Sequence, residues 1–183
     1  MVKVANEIIT KAQQGDLKAF EDIYKTLFGY VSNVACRMVG NMEDAEEVTQ
    51  DVFMKIHRHL KDFQFQSSLS TWVYRITVNS AINHLKKESQ KKNNVPYIDD
   101  ISLQVQEPSL AHQEYQEKLI SYMLASLNPE QRAVIVLRGM EGLSYEEIAQ
   151  TLGIPINTVR SRIKRAREAM LALKKEVSQS ELQ

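Results

Sequence analysis

The chain has 183 residues, 43% hydrophobic and 25% charged, with basic and acidic side chains balanced at 23 each. That length holds one domain or two small ones, and the composition is that of a soluble globular protein. The longest purely apolar run, residues 133–137, is far too short to cross a membrane, and the polar and acidic residues within 2–10 argue against a signal peptide. A single cysteine, Cys36, excludes an intrachain disulfide and a cysteine-built zinc site, so the reducing cytoplasm is the expected location.

The charge is unevenly placed. Residues 61–95 carry six basic and two acidic groups, and residues 153–175 carry seven and one. Every other stretch is net acidic, including 96–126 with one basic and five acidic groups. Two basic islands in an otherwise acidic chain suit two separate contacts with a polyanion; two solvated helix faces would read the same way.

In chain order, a short helix is expected at 6–14. A long one follows, whose buried face is Phe20, Ile23, Tyr24, Leu27, Val31, Val34, Ala35 and Met38, ended by Gly40-Asn41. The next begins near Met42 and stacks Val48, Val52, Ile56 and Leu60. A loop of two Phe and two Ser, residues 63–68, leads to a third helix over 69–87. From about residue 88 the periodicity lapses among Asn93-Asn94, Pro96, Asp99-Asp100 and Pro108, as in a linker. Helical spacing resumes at Tyr115, Leu119, Tyr122 or Met123, and Leu127. Asn128-Pro129-Glu130 then reads as an N-cap with Pro at the first helical position. The fold expected is all-α: two small helical domains, 1–90 and 112–177, joined by a flexible linker at 91–111.

Within the second domain, SYEEIAQTLGIPINTVRSRIKRAREAM changes character midway. Ser144 and Glu147 have the spacing of a capping box. Ile148, Ala149 and Leu152 face inward, Gly153 permits a left-handed turn, and Pro155 or Asn157 starts a second helix with Val159, Ile163, Ala166 and Met170 as its stripe. This is a helix-turn-helix at about 144–167, whose second helix can enter the major groove. Arg160, Ser161, Lys164, Arg165 and Arg167 lie off the stripe, where Arg can bond a guanine edge and the others can hold phosphates. A basic helix exposed on a bundle is the plain alternative.

The first domain has a matching feature. Arg75, Asn79, Asn83 and Lys87 recur every four residues along a helix otherwise apolar at Trp72, Val73, Ile76, Val78, Ile82 and Leu85. Asn is a poor helix former, so a mid-helix pair needs a reason. Reading base edges is one, and capping a nearby loop is another. Phe63, Gln64, Phe65, Gln66, Ser67 and Ser68 offer rings and amides that can stack on and bond an unpaired base. One helix earlier, Glu43, Asp44, Glu47, Gln50, Asp51 and Met54 share a polar face opposite the Val/Ile stripe; such a face is ordinarily just solvated.

These blocks together resemble the sigma-70 family of bacterial transcription initiation factors, and most of all its extracytoplasmic-function group, which keeps only regions 2 and 4. LNPEQRAVIVLRGMEGLSYEEIAQTLGIPINTVRSRIKRAREAM is similar to region 4. GDLKAFEDIYKTLFGYV and DAEEVTQDVFMKIHRHL are similar to regions 2.1 and 2.2, and FQFQSSLSTWVYRITVNSAINHLKK to regions 2.3 and 2.4. The resemblance implies −35 reading by Arg160, Ser161, Lys164, Arg165 and Arg167. It implies −10 reading and strand melting by the 63–68 loop with Arg75, Asn79, Asn83 and Lys87, while Trp72 is either a wedge or, as expected here, core packing. It implies docking of Asp44, Glu47, Gln50, Asp51 and Met54 on the clamp of one large subunit of core RNA polymerase, and of region 4 on the flap of the other. An anti-sigma partner and promoter DNA complete the implied partners. Asn157 and Phe65 stand where the family commonly has Gly, Gln64 where it has Arg, and Leu69 where it has Phe.

No cofactor, metal or membrane insertion is expected, nor catalysis. His57 and His59 are two apart on a helix and face away from each other, and neither a Gly-rich phosphate loop nor a nucleophile elbow occurs. The competing reading is a stand-alone helix-turn-helix regulator, against which the Asn row beside an aromatic loop argues.

Overall fold

The computed structural model describes residues 3–91, 110–139 and 141–180. These form eight α-helices: α1 (Asn6–Gln13), α2 (Leu17–Val39), α3 (Met42–His59), α4 (Leu69–Lys91), α5 (Leu110–Ala125), α6 (Pro129–Gly139), α7 (Tyr145–Leu152) and α8 (Ile156–Ser180). A short 3₁₀ turn at Leu60–Asp62 follows α3.

Local chemistry sets most of the boundaries. The Asp16 carboxylate accepts from the Lys18 and Ala19 amides to start α2, and the Asn41 side chain accepts from the Asp44 amide to start α3. Between them Gly40 adopts φ +90°, a left-handed stop that costs a residue without Cβ little. Asn128 accepts from the Gln131 amide ahead of Pro129, so α6 begins as its sequence indicated. At two ends the helices outrun the lapse in periodicity. α4 continues through Glu88, Ser89, Gln90 and Lys91, and α5 begins at Leu110. The polar end of α4 carries no apolar face to register, but it can still propagate the helix. The rest of the expected linker, 92–109, lies outside the described residues.

α2, α3 and α4 pack around Ile23, Leu27, Val31, Val34 and Met38 of α2, Val48, Val52 and Ile56 of α3, and Val73, Val78 and Ala81 of α4, all buried. α6, α7 and α8 gather Val134, Leu137, Ile148, Val159, Ile163 and Ala166, and Leu124 of α5 is buried as well. Two of the side chains expected on the buried face of α2 differ. Phe20 is only partly buried and Tyr24 is exposed, because the row 20, 24, 28 turns toward a surface groove and not into the core.

The two helical groups are in contact. α2 meets α5 and α6, α4 meets α6 and α7, and the apolar residues of both groups form one continuous core. At this junction Arg132 of α6 is buried and donates to the backbone carbonyls of Met38, Ala125 and Leu127. Those carbonyls close the C-terminal ends of α2 and α5, where a cation is favoured by the helix dipole. Burial lowers the guanidinium pKa below its ordinary value, and an Arg still keeps its charge. Nearby, the buried Tyr74 of α4 donates its hydroxyl to the Glu141 carboxylate, and Lys86 of α4 pairs with Glu130 of α6 at 3.2 Å.

Candidate nucleic-acid and polymerase interfaces

The helix-turn-helix forms as its signals indicate. Ser144 and Glu147 close both bonds of the capping box, and those bonds, first the one from the Ser144 amide, hold the Glu147 carboxyl below its usual range. Gly153 takes φ +65°. α8 then starts after Pro155, whose carbonyl accepts from the Thr158 and Val159 amides. With Val159, Ile163 and Ala166 buried, Arg160, Ser161, Lys164, Arg165 and Arg167 all stand exposed on the other side. Asn157 accepts from Arg160 Nη1 at 3.1 Å, orienting that guanidinium, a role the sequence pattern did not show. Ser161 Oγ donates to the Thr158 carbonyl, and Lys164 lies 3.9 Å from Glu168 with both side chains exposed, a pairing of little strength.

On α4, Arg75, Asn79, Asn83 and Lys87 are exposed along one row. Among the described residues neither Asn side chain has a hydrogen-bond partner. One border of this row meets the second helical group. A Cβ built on Gly153 would lie 2.9 Å from Arg75 Nη2, so the guanidinium rests on the helix-turn-helix turn and a side chain there would force it aside. At about 100° per residue Lys86, about three turns further along, lies on the same edge of the row as Arg75, and its ammonium is engaged by Glu130. Burial alone would raise the Glu130 pKa; its backbone amide at the helix start, Lys86 and Arg162 outweigh that and lower it.

In the loop before α4 the residues separate by role. Phe63 is buried, its ring 5.4 Å from Trp72 and 5.0 Å from Phe65, and Gln13 Nε2 donates to the Leu60 and Phe63 carbonyls, tying the loop to α1. Trp72 is partly buried and packs against the core. Phe65 is the exposed ring, at φ +57°, a left-handed conformation strained for a bulky side chain. Gln64 and Gln66 are exposed and joined by an amide–amide bond at 3.0 Å, Ser67 is half-buried, and Ser68 caps α4 by accepting from the Thr71 amide.

The polar face of α3 borders two different features. On one side Gln50 and Met54 line an open groove of about 610 Å³ with Phe20, Tyr24, Phe28 and Phe53. Tyr24 packs on Phe53 at 4.5 Å and on Phe28 at 5.3 Å, yet Tyr24, Phe28 and Met54 all remain exposed. On the other side Asp51 pairs with Lys55 at 2.6 Å, and Lys55 also donates to Ser80 of α4. Asp44 and Glu47 lie beside His84 of α4. The aromatic groove was hidden in the sequence because Phe20 and Tyr24 also satisfy the spacing of a buried stripe.

Residues 23–91 match the family model for Sigma-70 region 2, and residues 117–170 that for Sigma-70, region 4. The chain is 34% identical over 173 residues to the ECF RNA polymerase sigma-E factor of Escherichia coli, covering 89% of this chain and 90% of that protein. It is 31% identical over 178 residues to the RNA polymerase sigma-H factor of Pseudomonas aeruginosa, covering 90% of each. Among solved structures, the sigma factor RpoE in complex with the anti-sigma factor NepR from Bartonella quintana superposes with a TM-score of 0.67 at 28% identity, covering 87% of this chain and 98% of that one. CnrH in complex with the cytosolic domain of CnrY shares the fold at TM-score 0.67 and 22% identity, covering 92% and 96%. Both matched regions thus occur in their expected order on an all-helical scaffold, and the chain belongs to the extracytoplasmic-function group of the sigma-70 family.

Proposed function

We propose that this sigma factor directs core RNA polymerase to promoters through two surfaces, residues 1–90 reading the −10 element and residues 112–177 the −35 element. The observation that carries the reading is the pair of exposed rows, Arg75–Asn79–Asn83–Lys87 on α4 and Arg160–Ser161–Lys164–Arg165–Arg167 on α8. Arg160, aimed by Asn157, is assigned a base edge in the major groove; Lys164, Arg165 and Arg167 hold phosphates. On α4 the unpartnered Asn79 and Asn83 amides supply donors and acceptors for bases, with Arg75 and Lys87 on the backbone to either side. Phe65 supplies the stacking ring for an unpaired base, with Gln64 and Gln66 as edge partners, while Phe63 and Trp72 form the platform beneath it. The chain acts by binding in the cytoplasm and does no catalysis itself.

Core docking is assigned to the α3 face of Asp44, Glu47, Gln50, Asp51 and Met54, with the aromatic groove beside Gln50 and Met54 as its apolar part. An aromatic and Met-lined patch with a polar rim is the usual composition of a protein-binding surface. The packed arrangement is assigned to the free protein, where α6 and α7 crowd the Arg75 and Lys86 border of the −10 row. An anti-sigma factor is the partner that stabilises it, and core polymerase the one that opens it. The direct test is run-off transcription with purified core polymerase. Promoter-specific transcripts that appear only with this chain, and shift in start-site choice with Asn79→Ala, support the reading; initiation independent of the chain defeats it.

A further inference from the structure

Asp44 and Glu47 are one helical turn apart on α3 and project toward α4, where His84 faces them. The His84 side chain is only 9% exposed. Its Nε2 lies 3.0 Å from Asp44 Oδ1 but outside hydrogen-bonding geometry, which leaves a buried nitrogen with no hydrogen bond. Glu47 Oε1 is 3.8 Å from Nδ1, and one ligand atom from each of the three side chains falls within 4.8 Å of the others. A nitrogen and a carboxylate oxygen that share a first-row divalent ion at about 2.0–2.1 Å lie about 2.9–3.4 Å apart, which spans the Asp44–His84 distance. Asp44 is held in place for this. Its Oδ2 accepts from Asn41 Nδ2 at 2.7 Å and its amide donates to Asn41 Oδ1, and its Oδ1 lies toward the imidazole. Such outer bonds are those that orient metal-binding carboxylates. Glu47 now lies beside Nδ1, the other ring nitrogen; being 67% exposed, it has room to swing to the Nε2 side onto a cation seated between His84 and Asp44.

We propose that Asp44, Glu47 and His84 form a binding site for a divalent transition cation, of which zinc is the natural probe. One imidazole and two carboxylates suit a borderline ion better than calcium or magnesium, which favour all-oxygen shells, and water completes the coordination. The site has a consequence that rests on the docking face proposed above. A bound cation neutralises the two carboxylates and ties Glu47 back toward α4, so zinc loading and core docking oppose each other.

The experiment uses the full chain. Zinc is titrated against a chromophoric chelator, with thermal unfolding followed in parallel. One equivalent should bind, and zinc at about 100-fold over its dissociation constant should raise the melting temperature by about 5–10 °C. His84→Gln should weaken binding by about 10–100-fold or more, and the exposed Glu47→Gln, whose fold is checked by circular dichroism, should do so too. Binding below one equivalent, or binding unchanged in both variants, overturns the site; so does stability that responds to pH but not to zinc, which would mark a histidine simply paired with carboxylates. A second arm measures core affinity with and without zinc for the wild type and for His84→Gln. Zinc should weaken core binding of the wild type alone. If zinc binds stoichiometrically and core affinity does not move, the cation site stands and the assignment of Asp44 and Glu47 to docking falls.

Discussion

Arg132, on the first turn of α6, donates to the backbone carbonyl of Met38, a residue 94 positions earlier at the end of α2. No carboxylate among the described residues pairs with it, so the guanidinium acts as a cap shared by two helix ends and joins region 4 to region 2. Arg132→Met keeps much of the volume but strips the buried Met38 and Leu127 carbonyls, and the part-buried Ala125 carbonyl, of their donor, which should cost about 2 kcal/mol or more. Because one core runs through both regions, the wild type should unfold in a single calorimetric transition, whereas the variant should show two. A variant that melts in one step at the wild-type temperature would show that Arg132 does not hold the regions together.

Glu130, held by its own backbone amide at the start of α6 and paired with Lys86, gives the junction a pH dependence of definite sign. The Glu130 pKa is lowered in the folded chain, so its contribution is complete above the ordinary carboxylate value of 4.5 and is lost as pH falls through the lowered one. Both side chains are partly solvated, which limits the contribution to about 1 kcal/mol or less. Glu130→Gln should therefore melt slightly below the wild type at neutral pH, and the gap should close as the pH is taken below 4.5. A gap that widens in acid would reverse the assignment.

Docking on core polymerase should depend on the exposed α3 face. Gln50→Ala with Asp51→Ala should weaken core binding and leave helicity intact, since Gln50 is exposed at the groove rim and Asp51 loses only a partly exposed pair with Lys55. Met54→Ala, which removes an exposed apolar side chain, should weaken it further. Equilibrium binding of labelled protein to core enzyme measures this, and a double variant that binds as tightly as the wild type would place the docking face elsewhere.

Promoter reading should divide between the regions. Arg160→Ala should cost about 1–3 kcal/mol on promoters with the right −35 element and less on scrambled ones. Asn157→Ala should reproduce part of that loss by releasing the Arg160 guanidinium. Asn79→Ala should change −10 preference, and Phe65→Gly should relieve the left-handed backbone while removing the stacking ring, so strand opening falls. Permanganate footprints of the holoenzyme report these effects. Normal melting with unchanged −10 preference in both variants would rule out the α4 and loop assignment.

How far the sequence revealed the molecule depended on how local each signal was. The capping box of Ser144 and Glu147, the left-handed Gly153 and the Asn128-Pro129 start are set by neighbours a few residues apart, and each could be read directly. The exposed rows on α4 and α8 were legible because helical periodicity fixes which side chains face out once the apolar stripe is known. The contacts that join the regions were not legible. Tyr74 meets Glu141 and Arg132 meets Met38 across long stretches of chain, and each residue alone looks like an ordinary core aromatic or surface cation. His84 escaped notice for the same reason, since the histidine pattern in sequence is His57 and His59, two residues apart, and the carboxylates opposite His84 lie on another helix.

The packed arrangement and the two surfaces proposed to read DNA make one claim together: the free chain is closed, and core polymerase opens it and fixes both regions on one promoter. Two tethered contacts then act at high effective concentration, commonly worth about 10²–10⁴ in affinity. The measurement is a salt titration of fluorescent promoter DNA against the free protein, core enzyme alone and their mixture. The account predicts weak binding by the free protein, far tighter and sequence-specific binding by the mixture, and a steeper salt dependence for the mixture because more phosphates are engaged. Tight, sequence-specific binding by the free protein at moderate salt would contradict it.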